Sequence, residues 1–365
     1  MSVETAGGAP AAAAPASRLG GLARQTALAL LPLALALAAA GLILLLFGRD
    51  PLTFYANVLK RGLFSWAGLQ ETLIRMAPLL LLAASLIVAF RAGIWNLGID
   101  GQFLLAAVMV AAAGPRLVTI MPIGLALAIL LVLGGLVGAA WSLIPALLRA
   151  YYGVNEIITT LMMTFIGTSL GAVLVKTVFN DPSTTVPQTQ VLPMIDRLPR
   201  LFGTRIHAGL IIGLVAIVLV HLVMTRTAFG LKAQIIGFNP RAARHAGLDV
   251  PRLTVAVFAF SAGLAGLAGA TEILGVFGVV QNEWNPAYGM LVIPLVFVVR
   301  FHGIASIGIV AFFAMLSIGG ESASRKANLP NYFLLVVVAL LLIFMALTEY
   351  LSARRRQRLE TWGEG

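Results

Sequence analysis

The sequence contains no cysteine, and only 11% of its residues are charged. Without cysteine the chain has no disulfide, no cysteine-ligated zinc and no iron–sulfur cluster. Soluble globular proteins carry about 25% charged residues, so this chain has too few to cover a water-soluble surface. Its residues are 60% hydrophobic and its mean hydropathy is +0.97. These values argue against a soluble enzyme, a secreted disulfide scaffold and a disordered chain, and they indicate a domain surrounded by lipid.

The chain also lacks the signatures of common catalytic sites. It has no G-x-x-x-x-G-K-[ST] motif, so it does not hydrolyse ATP through a P-loop. A G-x-S-x-G pattern at 167–171 lies inside an apolar helical stretch, where small residues let helices approach closely, and not in the strand–turn–helix setting of a nucleophilic serine. The four histidines have no metal-ligand spacing, and the net charge of +11 has no basic stripe with interleaved aromatics. We predict no enzyme activity, metal site, cofactor or nucleic-acid partner.

Long apolar runs are what the sequence has in abundance. A membrane-spanning helix needs about 20 apolar residues, and ten charge-free runs are present: 27–48, 76–90, 101–115, 117–148, 157–175, 206–225, 253–271, 284–299, 301–320 and 327–348. None shows the alternation of a transmembrane strand. The prediction is an all-α polytopic membrane helix bundle with about ten transmembrane helices. Runs 76–90, 101–115 and 284–299 are short for a full crossing, and 117–148 is long for one helix.

Basic residues suggest the orientation of this bundle. An even number of spans puts both termini on one side, and the arginines of both tails and of the loop 226–252 predict that this side is cytoplasmic. We divide the chain into a disordered tail at 1–23, a membrane domain at 24–349 and a basic cytoplasmic tail at 350–365. A cleaved signal peptide ending near Ala38-Ala39-Ala40 is the alternative to an uncleaved first helix.

Polar residues interrupt the apolar pattern between the second and third runs. Asn96, Asp100 and Gln102 lie in a segment with glycines at 93, 98 and 101. Polar side chains at membrane depth are costly unless they meet water, protein or substrate, and short glycine-interrupted segments are typical of discontinuous helices that line a cavity. The segment therefore predicts part of a translocation pathway, with an ordinary polar loop at the cytoplasmic face as the alternative.

Three further polar residues are candidates for the same pathway. Asn155 and Glu156 open the run 157–175, where N-capping and the helix dipole would explain them equally well. Glu272 follows a run with small residues every four positions at 261–270, which predicts close helix contact. It faces either the pathway or the membrane interface. The polar and aromatic segment 278–289 predicts an external gate, a docking surface or a solvated loop with an aromatic belt.

The loop 226–252 contains a sharply bounded short helix. Asn239 is a good N-cap, Pro240 suits the first helical position and Gly247 suits the residue past the end. A short rigid helix at 240–246, with two arginines and a smooth alanine face, favours docking of a partner protein over a purely topological role. The residues of this predicted docking element are Gly237, Asn239, Pro240, Arg241, Ala242, Ala243, Arg244 and Gly247.

Several of these segments resemble the permease subunits of ABC importers for simple sugars, purine nucleosides and branched-chain amino acids. The segment 90–102 is similar to the family pattern F-R-A-G-x-x-N-[IL]-G-x-[ED]-G-Q, 153–158 to G-x-N-E-[VI]-I, and 237–248 to G-x-N-P-x-A-A-x-x-A-G-[IL]. The run from 261 resembles S-G-x-x-A-G-L-A-G, with Ala262 in place of the first glycine. The matches cover about 75–275 in order, while 285–325 departs most from the family.

The resemblance implies a type II ABC importer in a bacterial inner membrane, closest to the nucleoside and simple-sugar permeases. A periplasmic or lipid-anchored binding protein would deliver the solute, a second and different permease would complete the pore, and a cytoplasmic ATPase would dock on the helix 240–246. The missing P-loop agrees with a separate motor chain.

Two other classes of function remain as alternatives. An ion-coupled secondary transporter would use a buried acid such as Asp100 or Glu272 to carry protons. A membrane scaffold would have no transport role.

Overall fold

The computed structural model describes residues 15–328 without a gap, with side chains from residue 31 onward, and helical positions at 333, 336, 337, 339, 340, 343, 344, 347, 348 and 351. The described helices are α1 (Pro15–Leu46), α2 (Pro51–Leu59), α3 (Trp66–Arg91), α4 (Ile99–Ile120), α5 (Ile123–Tyr152), α6 (Glu156–Thr177), α7 (Gly209–Arg226), α8 (Ala228–Phe238), α9 (Pro240–His245), α10 (Val250–Glu272), α11 (Tyr288–Val298) and α12 (Gly303–Lys326). No strand occurs among these residues, only two isolated bridges. The all-helical fold class is confirmed.

Seven of the described helices are long and apolar enough to cross a membrane. They are α3, α4, α5, α6, α7, α10 with its π-helical extension Ile273–Phe277, and α12. Three shorter apolar helices accompany them at Leu31–Leu46, Ala228–Phe238 and Tyr288–Val298. Half of the run 327–348 lies outside the described residues, and the segments 1–14 and 352–365 lie entirely outside them. The count of ten spans therefore stays a prediction.

The boundaries of three predicted spans change. The helices over 76–90 and 101–115 are full-length, with 26 and 22 residues, because they also take in charged residues that protein surrounds, such as Arg75 and Asp100. The helix over 284–299 has only 11 residues and reaches about 16 Å, about half of a 30 Å hydrocarbon core. Charge-free runs thus underestimate helices that bury charge, and they overestimate a helix preceded by apolar but irregular chain.

α5 and α10 meet backbone to backbone along the predicted small-residue face. A Cβ atom added at Gly266 would lie 3.0 Å from the Cα atom of Gly138 and would overlap the carbonyl of Gly134. Gly269 lies just as close to the carbonyl of Phe103 on α4. The predicted role of the run 261–270 in close helix contact is confirmed, and α10 packs at the centre of the bundle against α3, α4 and α5.

The bundle has two distinct ends. At one, which we call the α9 end, the loop 92–98 touches the junction of α8 and α9, since Gly93 lies against Gly237. At the other, the long-loop end, the segment 178–208 packs on the end of α10 through backbone hydrogen bonds such as Leu198 N to Leu274 O (2.9 Å). That segment is irregular, as its prolines predict, apart from one 3₁₀ turn at Met194–Asp196.

Candidate functional site

A cluster of neutral polar side chains lies in the bundle beside the loop 92–98. Asn96 and Gln102 exchange two amide hydrogen bonds, from Asn96 Nδ2 to Gln102 Oε1 and from Gln102 Nε2 to Asn96 Oδ1, both 3.1 Å. Asn96 Nδ2 also donates to Ser261 Oγ on α10 (3.1 Å), which contacts Ser85 Oγ on α3 at the same distance. All four side chains are buried. The side chain of Asn96 is therefore part of the bundle interior, whereas Gly93 and Trp95 of the same loop are exposed.

Two threonines of α6 hold the backbone of the same loop. Thr160 Oγ1 accepts a hydrogen bond from Leu97 N (3.2 Å), and Thr164 Oγ1 donates to Leu97 O (3.1 Å). Gly101 lies against the backbone of Thr164, with no room for a Cβ atom. Backbone groups at membrane depth must find partners within the protein, and α6 provides them for this irregular segment.

Asp100 fixes the start of the half-length helix α11. Its Oδ1 accepts a hydrogen bond from Gly289 N (2.7 Å) and its Oδ2 accepts one from Met290 N (3.3 Å). A carboxylate at a helix N-terminus satisfies free N–H groups and opposes the positive end of the helix dipole. At its other end α11 leads to Phe301, whose carbonyl accepts from Arg91 Nε (3.1 Å). The segment that begins with α11 is therefore bonded at one end to Asp100 and at the other to Arg91, the two residues that flank the loop 92–98.

A charged group lies between α3, α10, α11 and α12. Tyr288 donates a hydrogen bond from its hydroxyl to Glu272 Oε1 (3.1 Å), and the Arg75 guanidinium lies 5.3 Å from the centre of the Tyr288 ring. Arg75 also pairs with Glu321 (3.7 Å). Glu272 is only 3% exposed, and its Oε2 has no hydrogen-bond partner among the described residues. The structure thus places Glu272 in an interior charge network and not at an exposed membrane interface.

Asn155 and Glu156 lie apart from these two groups, at the turn between α5 and α6. Asn155 Oδ1 accepts from Ile157 N (2.9 Å), which is the predicted N-cap. Glu156 pairs with Arg149 of α5, with 3.3 Å between Glu156 Oε2 and Arg149 Nε. Capping and the ion pair account for both side chains. Their connection to the loop 92–98 is indirect, through a hydrogen bond from Thr160 Oγ1 to Glu156 O (2.6 Å).

The short helix of the loop 226–252 forms as predicted. Asn239 Oδ1 accepts from the backbone N–H groups of Arg241 and Ala242 (both 3.1 Å), and α9 ends at His245 before Gly247, whose φ is +79°. This confirms the helix and its caps, one residue shorter than 240–246.

The exposed surface of α9 differs from the predicted alanine face. Ala243 is fully buried and packs with Ile236 and Val250, so it anchors the helix and is not available to a partner. The backbone of Gly237 packs against Gly93 of the loop 92–98, so its contact is within the chain. The exposed residues are Asn239, Pro240, Arg241, Ala242, Arg244, His245, Ala246 and Gly247.

Sequence reasoning missed Arg75, Tyr288, Thr160 and Thr164 as members of the buried polar groups. Arg75 carries the strongest available signal, since an ionisable residue within a membrane helix is a functional candidate by default. It was overlooked because a charge was taken as the boundary of a span. The two threonines are common helix residues, and their spacing gives no sign that a distant loop lies against them.

An all-helical bundle with seven helices long and apolar enough to cross a membrane, and with polar side chains buried among them, fits a multi-pass membrane protein. The chain belongs to the family described as the permease component of branched-chain amino acid transport systems, whose profile matches residues 68–349. It is a permease subunit of an ABC importer in the plasma membrane, and ATP hydrolysis is carried out by a separate ATPase.

Relatives with named functions match most of the chain. The glucose ABC transporter permease protein TsgB13 of Haloferax volcanii is 31% identical, with 88% of this chain and 87% of the relative covered. The guanosine ABC transporter permease protein NupP of Bacillus subtilis and the nucleoside ABC transporter permease protein NupB of Lactococcus lactis are each 28% identical. These two matches cover 87% and 84% of this chain, and 92% and 86% of the relatives. No solved structure matches.

Proposed function

We propose that this permease forms the translocation path for a nucleoside or a simple sugar. The observation that carries the proposal is the presence of two buried polar groups within an apolar bundle, the bonded amides of Asn96 and Gln102 and the Asp100 carboxylate at the start of α11. Such residues are expensive at membrane depth and mark solute pathways. The names of the glucose, guanosine and nucleoside permeases that resemble the chain support this class of solute.

We further propose that about ten helices cross the membrane, with α9 and both termini in the cytoplasm. In this topology α8 and α9, the loop 92–98 and the turn 153–155 lie at the cytoplasmic side, and the segment 178–208 lies outside. The arginines near α9 support the assignment, because cytoplasmic loops carry an excess of basic residues. The proposed domain division keeps 24–349 as the membrane domain, with the coupling loop at 226–252.

The proposed partners are a cytoplasmic ATPase, a periplasmic or lipid-anchored solute-binding protein and a second permease of different sequence. The ATPase would contact the exposed face of α9, where Arg241 and Arg244 provide positive charge. Two different Bacillus subtilis chains, NupP and NupQ, both carry the name guanosine ABC transporter permease protein and both resemble this chain. This supports a pore built from two non-identical permeases.

Uptake by the assembled transporter tests the proposed function. Proteoliposomes with the binding protein, both permeases and the ATPase are supplied with radiolabelled guanosine, D-glucose or L-leucine. We expect ATP-dependent uptake of guanosine or glucose that stops with an ATPase unable to hydrolyse ATP and continues when an ionophore collapses ion gradients. Uptake that follows the ion gradient and ignores the ATPase would identify a secondary transporter and overturn the proposal.

Reversing the charge of the α9 face should uncouple the motor. The double variant Arg241→Glu, Arg244→Glu replaces attraction to an ATPase surface by repulsion, and a charge contact at an interface contributes several kcal/mol. We expect uptake to fall at least about tenfold while ATP hydrolysis by the ATPase persists, as measured in the same proteoliposomes.

The matched control is Arg325→Glu, Lys326→Glu, which makes the same charge change on exposed residues of α12, outside the loop 226–252. We expect it to retain most of the uptake. An α9 double variant that transports at the normal rate would contradict the docking role.

A further inference from the structure

A separate cavity of about 270 Å³ lies between α4, α6 and the segment 280–285, toward the long-loop end. Leu104 and Val108 of α4 form its apolar wall, while Thr168 and Ser169 of α6 contribute hydroxyl groups. None of the residues of the amide cluster or of the Arg75 network lines it. The cavity is only partly enclosed and opens to the surface of the described bundle.

The segment 281–285 contributes a wall with charged, amide and aromatic side chains. Gln281, Glu283 and Asn285 are exposed, and all three line the cavity together with the indole of Trp284. The indole is held from behind, stacked on Phe103 with ring centres 5.9 Å apart and edge-on to Phe277 at 5.2 Å. A fixed aromatic ring beside a carboxylate and two amides is thus presented to the open cavity.

The backbone that presents these groups is strained. Glu283 and Ala287 have φ values of 65° and 51°, in the left-handed region that non-glycine residues rarely adopt. Residues strained in this way cluster at ligand sites. The two strained residues lie on either side of Trp284 and Asn285. The unusual backbone conformation is therefore located where the chain presents side chains to the cavity.

We propose that this cavity is a solute subsite that takes a hydroxylated ring, such as a sugar or the ribose of a nucleoside. The Glu283 carboxylate and the Gln281 amide oxygen accept hydrogen bonds from ring hydroxyls, and the Asn285 amide nitrogen donates to them. Asn285 Oδ1 accepts from Ala287 N (2.8 Å) and Gln281 Nε2 donates to Gln188 Oε1 (3.4 Å), which holds the two amides in place. The indole of Trp284 packs against the apolar face of the ring. Binding sites of this kind combine an apolar wall with a few polar groups that fix the ligand. The proposal rests on the proposed function, because it names the solute class of the same transport process.

The absence of cysteine from this chain provides a direct test. Ser169→Cys places a single thiol on the cavity wall, and Thr177→Cys places one on the exposed last residue of the same helix, outside the cavity. Both are made in the assembled permease–ATPase complex without binding protein, and alkylation of this chain by a water-soluble maleimide is followed over time. Guanosine, D-glucose and L-leucine are added separately over a range of concentrations.

Guanosine or glucose should slow alkylation at 169 by a factor of one plus the ratio of solute concentration to Kd, about tenfold at ten times Kd. L-Leucine has no ring hydroxyl and should not protect, and the thiol at 177 should react at the same rate throughout. No protection by a solute that the unaltered transporter takes up would overturn the subsite, and so would equal protection by leucine. If the unaltered transporter takes up neither guanosine nor glucose, the proposed solute class is wrong and the subsite is rejected with it. The uptake measurement thus distinguishes this outcome from a failure of the subsite alone.

Glu283→Gln tests the chemistry of the subsite. Loss of the charged acceptor should lower uptake about tenfold, since hydrogen bonds to charged groups are the stronger ones. Asp196→Asn, the same change at a carboxylate outside the cavity, should leave uptake unchanged. If Glu283→Gln instead releases the second permease during purification, the segment 281–285 is an interface between permeases and the proposal is wrong.

Discussion

Gly266→Ala is expected to destabilise the folded bundle by about 2 to 3 kcal/mol, the cost of overpacking a tight contact. The added methyl group would lie 3.0 Å from the Gly138 Cα atom and overlap the carbonyl of Gly134. Both obstacles are backbone, so no side chain can rotate away, and α5 and α10 must separate. We expect the detergent-solubilised protein to unfold at a lower temperature. The measurement is the loss of its monodisperse peak in size-exclusion chromatography after heating.

Gly308→Ala is the matched control for this change. Gly308 lies within α12, and a Cβ atom there would meet no heavy atom within 4 Å. Alanine is favoured over glycine inside a helix by about 0.5 to 1 kcal/mol, so this variant should be slightly more stable than the parent protein. Equal unfolding temperatures for the two variants would show that the α5–α10 contact does not limit stability.

Asp100→Ala is expected to abolish uptake and to destabilise the protein by about 3 kcal/mol. The change removes the acceptor for two N–H groups at the start of α11, those of Gly289 and Met290. An unsatisfied buried donor costs about 1 to 3 kcal/mol, and the hydrogen bond from Gly289 N is buried within the bundle. We expect α11 to lose its fixed starting point, which should appear as lost uptake in proteoliposomes while the ATPase still co-purifies.

Asp50→Ala separates this effect from ordinary loss of a helix cap. Asp50 caps α2 in the same way, accepting from Leu52 N and Thr53 N (both 3.1 Å), but in an exposed position. Its removal should cost about 1 kcal/mol and leave uptake intact. If Asp100→Ala behaves like Asp50→Ala, the carboxylate at 100 is an ordinary cap without a role in transport.

The sequence predicted best those features whose causes are local. The caps of α9 follow from Asn239 and Gly247 alone, and the repeat of small residues at 261–270 predicts a close helix contact, although not its partner α5. The polarity of Asn96, Asp100 and Gln102 also identified the segment that enters the bundle interior. In each case neighbouring residues in the chain determine the structure.

Features that depend on distant residues could not be predicted in the same way. Asp100 caps a helix that begins 188 positions later, at Tyr288, and nothing in the sequence joins the two. Arg75 marked the N-terminal boundary of the charge-free run 76–90. It nevertheless lies within α3, where Tyr288 and Glu321 are its partners. The buried side of Ala243 depends on Ile236 and Val250, so the repeat of alanines in α9 did not indicate which one faces outward.

The contact of Gly93 with Gly237 has a mechanical consequence. A Cβ atom on Gly93 would be 2.8 Å from the Gly237 Cα atom, so the main chains touch with no deformable side chain between them. Three residues beyond Gly93, Asn96 is bonded to Gln102 and Ser261. The backbone at the end of α8 thus contacts the loop that carries Asn96 directly. If an ATPase docks on the adjoining α9, as proposed, its movement is expected to change the distances among Asn96, Gln102 and Ser261.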